Sequence, residues 1–264
     1  MIVLAHPDDE TIGATTVLLR ASIAAFVYVT DGAPQDMRDA RAAGCATRED
    51  YANRRRGELL SVLECAGIPE DRVEFVGIVD QEVSAQLATL TRWIEILIRE
   101  HRPEVVLTHP YEGGHPDHDA TAFSVHAAIR RIAASGGCPP LVAEFTSYHD
   151  RNGERAFGEF LHPEASPVVT RMLTPRERTF KRRLFGCYAT QQHVLAGVAT
   201  DIERFRIAPA YDFTQPPHPG LPLYERHSWG LTLAQWQEQA RSALDRLGLS
   251  AHPCDHDPAP VACR

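Results

Sequence analysis

Two short stretches of this 264-residue sequence concentrate side chains that do chemistry: His6-Pro7-Asp8-Asp9-Glu10 and, a hundred residues further on, His115-Pro116-Asp117-His118-Asp119. Adjacent carboxylates confined to one crevice repel one another unless a cation, a proton or hydrogen-bond donors compensate them. Two histidines and a carboxylate in four residues, beside Gly113 and Gly114, which let the backbone turn tightly, are the residue types of a zinc or similar divalent site. A closed structural site would want four ligands, usually with cysteine, and neither cluster has one. A His/Asp/His set with a position left for water, the catalytic arrangement, fits better.

What positions the clusters can be read from their flanks. Each follows an apolar run (Ile2-Val3-Leu4-Ala5; Val105-Val106-Leu107) and precedes a helical pattern, so each sits at the carboxyl end of a strand. In open α/β sheets ligands bind at that edge. The pattern predicts further strands over residues 24–29 and 73–76, ending at Asp31-Gly32 and Asp80-Gln81-Glu82. Helices are predicted over residues 11–20, 47–65, 83–98 and 119–132, the second opened by a Thr47/Asp50 capping box. Residues 33–46 read as a loop. Four strand–helix units with polar ends on one edge imply an α/β, Rossmann-like fold: a mostly parallel sheet flanked by helices, with right-handed crossovers.

A breaker at Gly136-Gly137-Cys138-Pro139-Pro140 separates this core, residues 1–135, from a C-terminal elaboration over 136–250. Strands are expected at 141–145 and 168–172 and a helix from Thr174-Pro175-Arg176-Glu177, whose threonine, proline and glutamate make a well-formed start. Residues 207–223 read as a proline-rich loop, 232–247 as a helix and 251–264 as a frayed tail. No internal repeat or second domain boundary is visible, so one domain is expected over 1–264.

Several function classes are disfavoured. A dinucleotide site needs glycines where Asp8, Asp9 and Glu10 stand, and carboxylates there repel phosphate. The net charge is −8 and the basic residues are dispersed, so no nucleic-acid partner is expected. The six cysteines include no C-x-x-C pair, the usage of reduced thiols. Neither a leader nor a membrane span is supported, and a cytoplasmic location is the default expectation.

A lone His-Pro is ordinarily a turn, and acids after a strand ordinarily complement a helix dipole. Their conjunction at two strand ends on one edge is what favours a metal. The two motifs together, His6-Pro7-Asp8-Asp9-Glu10 and His115-Pro116-Asp117-His118, resemble the signature pair of the PIG-L/LmbE-like family, zinc-dependent N-deacetylases of N-acetylglucosaminyl conjugates. Arg55-x-x-Glu58 is similar to that family's arginine–glutamate helix and Tyr188-Ala189-Thr190-Gln191 to a later loop. The resemblance implies one zinc, or another divalent ion, per chain, held by His6, Asp9 and His118, with Asp8 as the base. It implies that His115, hydrogen-bonded by Asp117, stabilises the oxyanion, and that Arg55 and Asp80 bind sugar hydroxyls. Where some relatives place a tyrosine this chain has Gly113-Gly114, leaving Tyr111 as a substitute.

The function so implied is removal of an acetyl group from an N-acetylated sugar conjugate, a small-molecule partner. Charged residues at the strand ends (Asp31, Arg55, Asp80, Glu112), with few aromatic or aliphatic neighbours, suit a hydroxylated ligand. The alternatives are an amidase acting on another amide of a glycosyl conjugate and a non-catalytic carbohydrate-binding protein of the same fold.

Overall fold

The protein is described here from a computed structural model, which covers residues 1–19 and 23–251. In chain order its elements are β1 (Ile2–Leu4), α1 (Asp9–Gly13), α2 (Thr15–Leu18), β2 (Phe26–Pro34), α3 (Arg38–Ala42), α4 (Arg48–Ala66), β3 (Val73–Asp80), α5 (Leu87–His101), β4 (Val105–Thr108) and α6 (Pro116–Ala134). There follow β5 (Leu141–Phe145), β6 (Tyr148–Arg151), β7 (Glu154–Phe157), β8 (Val168–Met172), α7 (Pro175–Cys187), α8 (Gln192–Leu195), β9 (Ile202–Ile207), α9 (Leu223–Arg226) and α10 (Leu233–Leu247).

Seven strands form one sheet in the order β3-β2-β1-β4-β5-β9-β8. The pairs from β3 across to β5 are parallel, and β9 runs antiparallel between β5 and β8. The fold is thus α/β with a mostly parallel sheet. Strand order runs outward from β1 to β3 on one side and from β4 to β5 on the other, so β1 and β4 flank a topological switch point. The two motifs leave the sheet there, where the crevice of such a sheet lies.

Both faces of the central strands are covered, which is why they read as unbroken apolar runs. Val3, Val27 and Val106 pack with α5, α6 and α10 through Leu90, Ile94, Phe123 and Trp236. Ile2, Leu4, Phe26, Tyr28 and Leu107 face Leu59, Val62 and Leu63 of α4 and Leu184 of α7. The capping boxes expected at Thr47 and Thr174 are present, and Thr232 with Gln235 makes another.

Several expectations need correction. The first helix breaks at Ala14, because Thr15 N and Thr16 N donate to the Glu203 carboxylate (2.8 and 3.1 Å). Lys181 Nζ completes that buried cluster, 3.2 Å from Glu203 Oε1 and 2.8 Å from Ile12 O. The span 33–46 contains α3. The α6 helix begins at Pro116, capped by the His115 side chain, so the second motif is the helix start itself. The β6–β7 hairpin and β9 were not expected. Cys45, Cys65 and Cys187 are free thiols, whereas Cys138 is disulfide-bonded, which corrects the reading of reduced cysteines at that residue. Cys254, Cys263 and the tail from residue 252 lie outside the described residues.

Gly114 shows how tightly the second motif is seated: a Cβ there would lie 2.0 Å from Tyr148 O. Gly57, exposed on α4, has nothing within 4 Å of an added Cβ. Gly114→Ala should therefore lower stability by about 2 kcal/mol or more as backbone is forced aside, while Gly57→Ala should raise it by ~0.5–1 kcal/mol. Urea unfolding of both variants checks the pair, and equal midpoints for Gly114→Ala and wild type would contradict the seating.

Candidate active site

The loop after β1 is held by its own backbone needs. Asp9 Oδ2 accepts from His6 N (2.7 Å), and Thr11 N, Ile12 N and Thr11 Oγ1 all donate to Asp8 O at 2.7–3.1 Å. Asp8 adopts φ 126°, a conformation that costs a non-glycine residue ~1–3 kcal/mol. Its surroundings hold it there. Glu10 Oε2 accepts from Asp8 N (3.2 Å), Arg55 donates to Pro7 O (2.5 Å) and to Asp8 Oδ2 (3.3 Å), and Tyr188 OH donates to Glu10 Oε1 (2.6 Å).

The second motif meets the first in the same cleft. His118 Nε2 lies 3.1 Å from Asp9 Oδ1, and His6 Nδ1 lies 3.5 Å from Asp9 Oδ2. His6 Nε2 faces Asp80 Oδ1 (3.2 Å) and Asp117 Oδ2 (3.3 Å). Three overlapping sets bring ligand atoms within 4.8 Å of one another: His6/His115/His118, His6/Asp80/His115/Asp117 and Asp9/His109/His118. The implied trio His6, Asp9 and His118 is drawn from these sets, with Asp9 touching both histidines. His118 Nε2 is buried and makes no hydrogen bond of acceptable geometry, although a carboxylate oxygen stands beside it. An orphaned imidazole nitrogen among carboxylates, with no thiol in the group among the described residues, is a donor set that fits zinc or a similar divalent ion.

Charge in the cleft is strongly redistributed. Burial pushes Asp8 up to about 7, against the pull of Arg55 and with the push of Asp9. Asp9 goes the other way: despite burial, His118 and His109 hold it well below the usual carboxylate range. Burial lifts Glu10 to about 8 and Asp117 to about 6. Burial and His109 press His118 down to about 3, and burial and His6 press His115 well below its ordinary value. His6 is burdened by burial but raised by Asp80 and Asp117. One carboxyl that keeps a proton beside one that does not is the separation acid–base chemistry uses.

The expected site residues converge, but several have partners other than those expected. Asp117 does not hydrogen-bond the His115 ring through its carboxylate, which is 4.0 Å away, because Gln81 N (2.6 Å) and Val83 N (3.2 Å) take it up. His115 Nδ1 instead accepts from Asp117 N (3.2 Å), which leaves the proton of the neutral ring on Nε2. Arg55 is buried and spends its fork on Pro7 and Asp8, and Asp80 lies against His6 and, at 3.7 Å, His115. Tyr111 is in the core, donating to Gln215 O (2.7 Å), so it does not serve the reacting centre. Asp31 pairs with Arg48 and Glu112 accepts from Leu161 N, so neither forms the rim.

Contrary to expectation, the cleft has aromatic walls: Tyr51, Tyr148 and Trp229 line it, with Arg155 and His193. The sequence left the role of His109 open, a functional and a plain loop reading being even. Its ring stacks on His118 (4.1 Å between centroids, 7° between planes), and its Nε2 accepts from Ala5 N (3.0 Å). A histidine closing an apolar strand opposite a ligand-rich one was the available signal.

An α/β sheet with a histidine–aspartate cluster at its switch point defines the class. Comparison with known proteins points the same way: residues 1–129, just under half of the chain, match the family model PIG-L, described as GlcNAc-PI de-N-acetylase. It is 30% identical over 136 residues to a probable N-acetyl-alpha-D-glucosaminyl L-malate deacetylase 2 of Bacillus cereus. That similarity covers 50% of this chain and 61% of the relative, so the chain spans less than two thirds of that relative's length. Among solved structures, the A40926 pseudoaglycone deacetylase Dbv21 superposes with TM-score 0.58 at 20% identity, covering 78% of this chain and 95% of that one. The zinc-inhibited form of teicoplanin deacetylase Orf2 gives 0.57 at 16%, covering 80% and 100%. The N,N'-diacetylchitobiose deacetylase of Pyrococcus horikoshii gives 0.52 at 18%, covering 79% and 82%. At these identities the structures show a shared fold. No helix among the described residues is long and apolar enough to cross a membrane.

Elemental analysis should find one divalent ion per chain, lost in His6→Ala, Asp9→Ala and His118→Ala. His109→Ala should keep the ion with affinity reduced about 10–100-fold, as removing a group that orients ligands does. Undiminished metal in the three ligand variants would remove the site.

Proposed function

We propose that this protein is a zinc-dependent N-deacetylase that releases acetate from an N-acetylglucosaminyl-type sugar conjugate. The observation that carries the reading is Asp8: a buried carboxylate, lifted to about 7, in a strained backbone position beside the His6/Asp9/His118 donor set. A carbohydrate-binding module has no use for such a group, which disfavours the non-catalytic reading. His6, Asp9 and His118 would hold the ion. Bound there, zinc polarises a carbonyl and lowers the pKa of a water from 15.7 to about 7.

The chain's own residues supply the rest. As water adds to the acetamide carbon, Asp8 takes its proton, and a pKa near neutrality suits a group that must accept and later give that proton. The C–N bond then breaks, the electron pair stays on nitrogen, and Asp8 returns the proton to the departing amine, since an amide anion is too poor a leaving group. His115, neutral with its proton on Nε2, is placed to donate to the oxyanion formed at the carbonyl oxygen. Arg55 aims Asp8 and keeps its charge tolerable between turnovers. Asp80 is the carboxylate of the set left to meet a sugar hydroxyl.

A panel of N-acetylated sugars, other amides of glycosyl conjugates and N-acetyl-lysine, assayed for free amine and acetate with the zinc-loaded protein, tests the assignment. Release of amine from the sugars is expected. Faster turnover of acetyl-lysine would exclude the sugar, and cleavage of another glycosyl amide with the acetyl group left in place would favour the amidase alternative. Asp8→Asn should keep fold and metal yet lose activity ~10²–10⁴-fold, and turnover within a few-fold of wild type would remove Asp8 as base. His115→Ala should lower kcat more than it raises KM, because the oxyanion exists only after the ground state. A raised KM at unchanged kcat would move His115 into substrate binding.

A further inference from the structure

We propose that Arg155 is an anion subsite at the mouth of the cleft, and that the sugar conjugate processed there carries a carboxylate or phosphate about one ring away from its acetamido group. This rests on the sugar deacetylase reading above and names the substrate class more narrowly.

Arg155 stands on β7 and lines the same cleft as His6, Asp8, His115 and His118. Its guanidinium carbon lies 4.7 Å from the ring centre of Tyr148 and 5.6 Å from that of Trp229. Those rings rest on the site's histidines: Tyr148 is 5.2 Å from His118 and Trp229 is 5.1 Å from His115, centre to centre. The cation therefore sits one aromatic ring outward from the reacting centre, the span a sugar ring would fill between a hydrolysed acetamide and a substituent beyond it.

A census of charges shows that this cation is left over. The other two arginines lining the cleft are committed, Arg55 to Asp8 and Pro7 O and Arg38 to Asp36. Of the acids around the hairpin, Arg226 takes Asp150 at 3.1 Å and Arg151 pairs with Glu159, while Glu154, next to Arg155 in β7, alternates to the opposite face of the strand. Among the described residues no hydrogen bond or ion pair reaches the Arg155 guanidinium. Contact with a ring face uses none of a guanidinium's N–H donors, which stay available for bidentate recognition of carboxylate or phosphate.

The rest of the cleft makes the position selective. Asp8, Asp9, Asp36, Asp39 and Asp80 also line it. An anionic substituent is repelled along those walls and attracted most at Arg155, the lining arginine without an acid partner among the described residues, so charge would orient the substrate with its neutral acetamido end inward.

Three N-acetylglucosaminides test this: the methyl, carboxymethyl and 2-phosphoethyl glycosides. Wild type should show kcat/KM on the order of tenfold higher for an anionic glycoside than for the methyl one, as expected for hydrogen bonds to a charged group, and the preference should shrink with salt. In Arg155→Gln the anionic-to-neutral ratio should fall to near one, with Arg155→Lys between. The two anionic arms decide between carboxylate and phosphate. An unchanged ratio in Arg155→Gln, or a wild type that prefers the methyl glycoside, overturns the subsite and leaves Arg155 as a clamp on Tyr148 and Trp229. If none of the three is hydrolysed the deacetylase reading fails. Calorimetric titration of the intact carboxymethyl glycoside then decides the subsite alone: roughly tenfold weaker binding to Arg155→Gln supports it, and equal binding refutes it.

Discussion

The structure depends on concentrating carboxylates where two parallel strands part. Asp8, Asp9, Glu10, Asp80, Asp117 and Asp119 are all buried at that edge, and a buried unpaired carboxylate is among the costliest groups a fold can carry. Each is made tolerable differently. Asp9 lies between His118 and His109, Asp8 leans on Arg55, and Asp80 faces His6. Asp117 takes backbone amides from the end of β3, and Asp119, driven well upward by burial, takes those of Glu112 and Gly113. Glu10 is raised to about 8 and is held by Tyr188. Arginine, histidine, backbone and proton are all used, and the overlapping His6/His115/His118 and Asp9/His109/His118 groups offer atoms that could hold a metal ion.

That constraint accounts for the C-terminal region. Strands β8 and β9 extend the same sheet, and from them and α7 come the groups that steady the first motif. Glu203 and Lys181 fix the break between α1 and α2, while Tyr188, just past α7, reaches back to Glu10. The loop after Tyr188 binds α4 as well, with Thr190 N and Oγ1 on Glu58 and Gln191 Nε2 on Tyr51. Helix α4 carries Arg55, so both the backbone and the charge of Asp8 are set from far along the chain.

What the sequence made legible follows from this division. Both motifs stand out because their residues are contiguous, follow apolar runs and open helices; the parallel core was readable for the same reason. Glu203 and Lys181 could not be read, because a buried ion pair assembled from a strand and a helix looks, in sequence, like two surface charges. Strand β9 was hidden likewise: in Ile-Glu-Arg-Phe-Arg-Ile the charged Glu203 and Arg206 are buried, Arg206 on Glu144 at 2.8 Å. The β6–β7 hairpin did carry a signal, Asn152-Gly153 with both φ positive, the strongest short hairpin cue. The partners of Asp117 and Arg55 were illegible because nearness in sequence favours His115 and openness favours a ligand, whereas β3 and Asp8 offered closer, buried alternatives.

The hairpin also gives a cleft rich in acids an aromatic wall. Gly114 packs against the carbonyl of Tyr148, the first residue of β6, so the backbone contact that seats the second motif also holds the Tyr148 ring against His118. Across the opening, Trp229 lies over His115. Histidines ligating a metal or donating to an oxyanion need fixed ring planes, and aromatic contact fixes a plane without competing for the nitrogens. The same two rings line the cleft. The orientation of the site's histidines and the shape of the entrance are therefore one packing problem, solved by residues 148–157 and 229, outside both motifs.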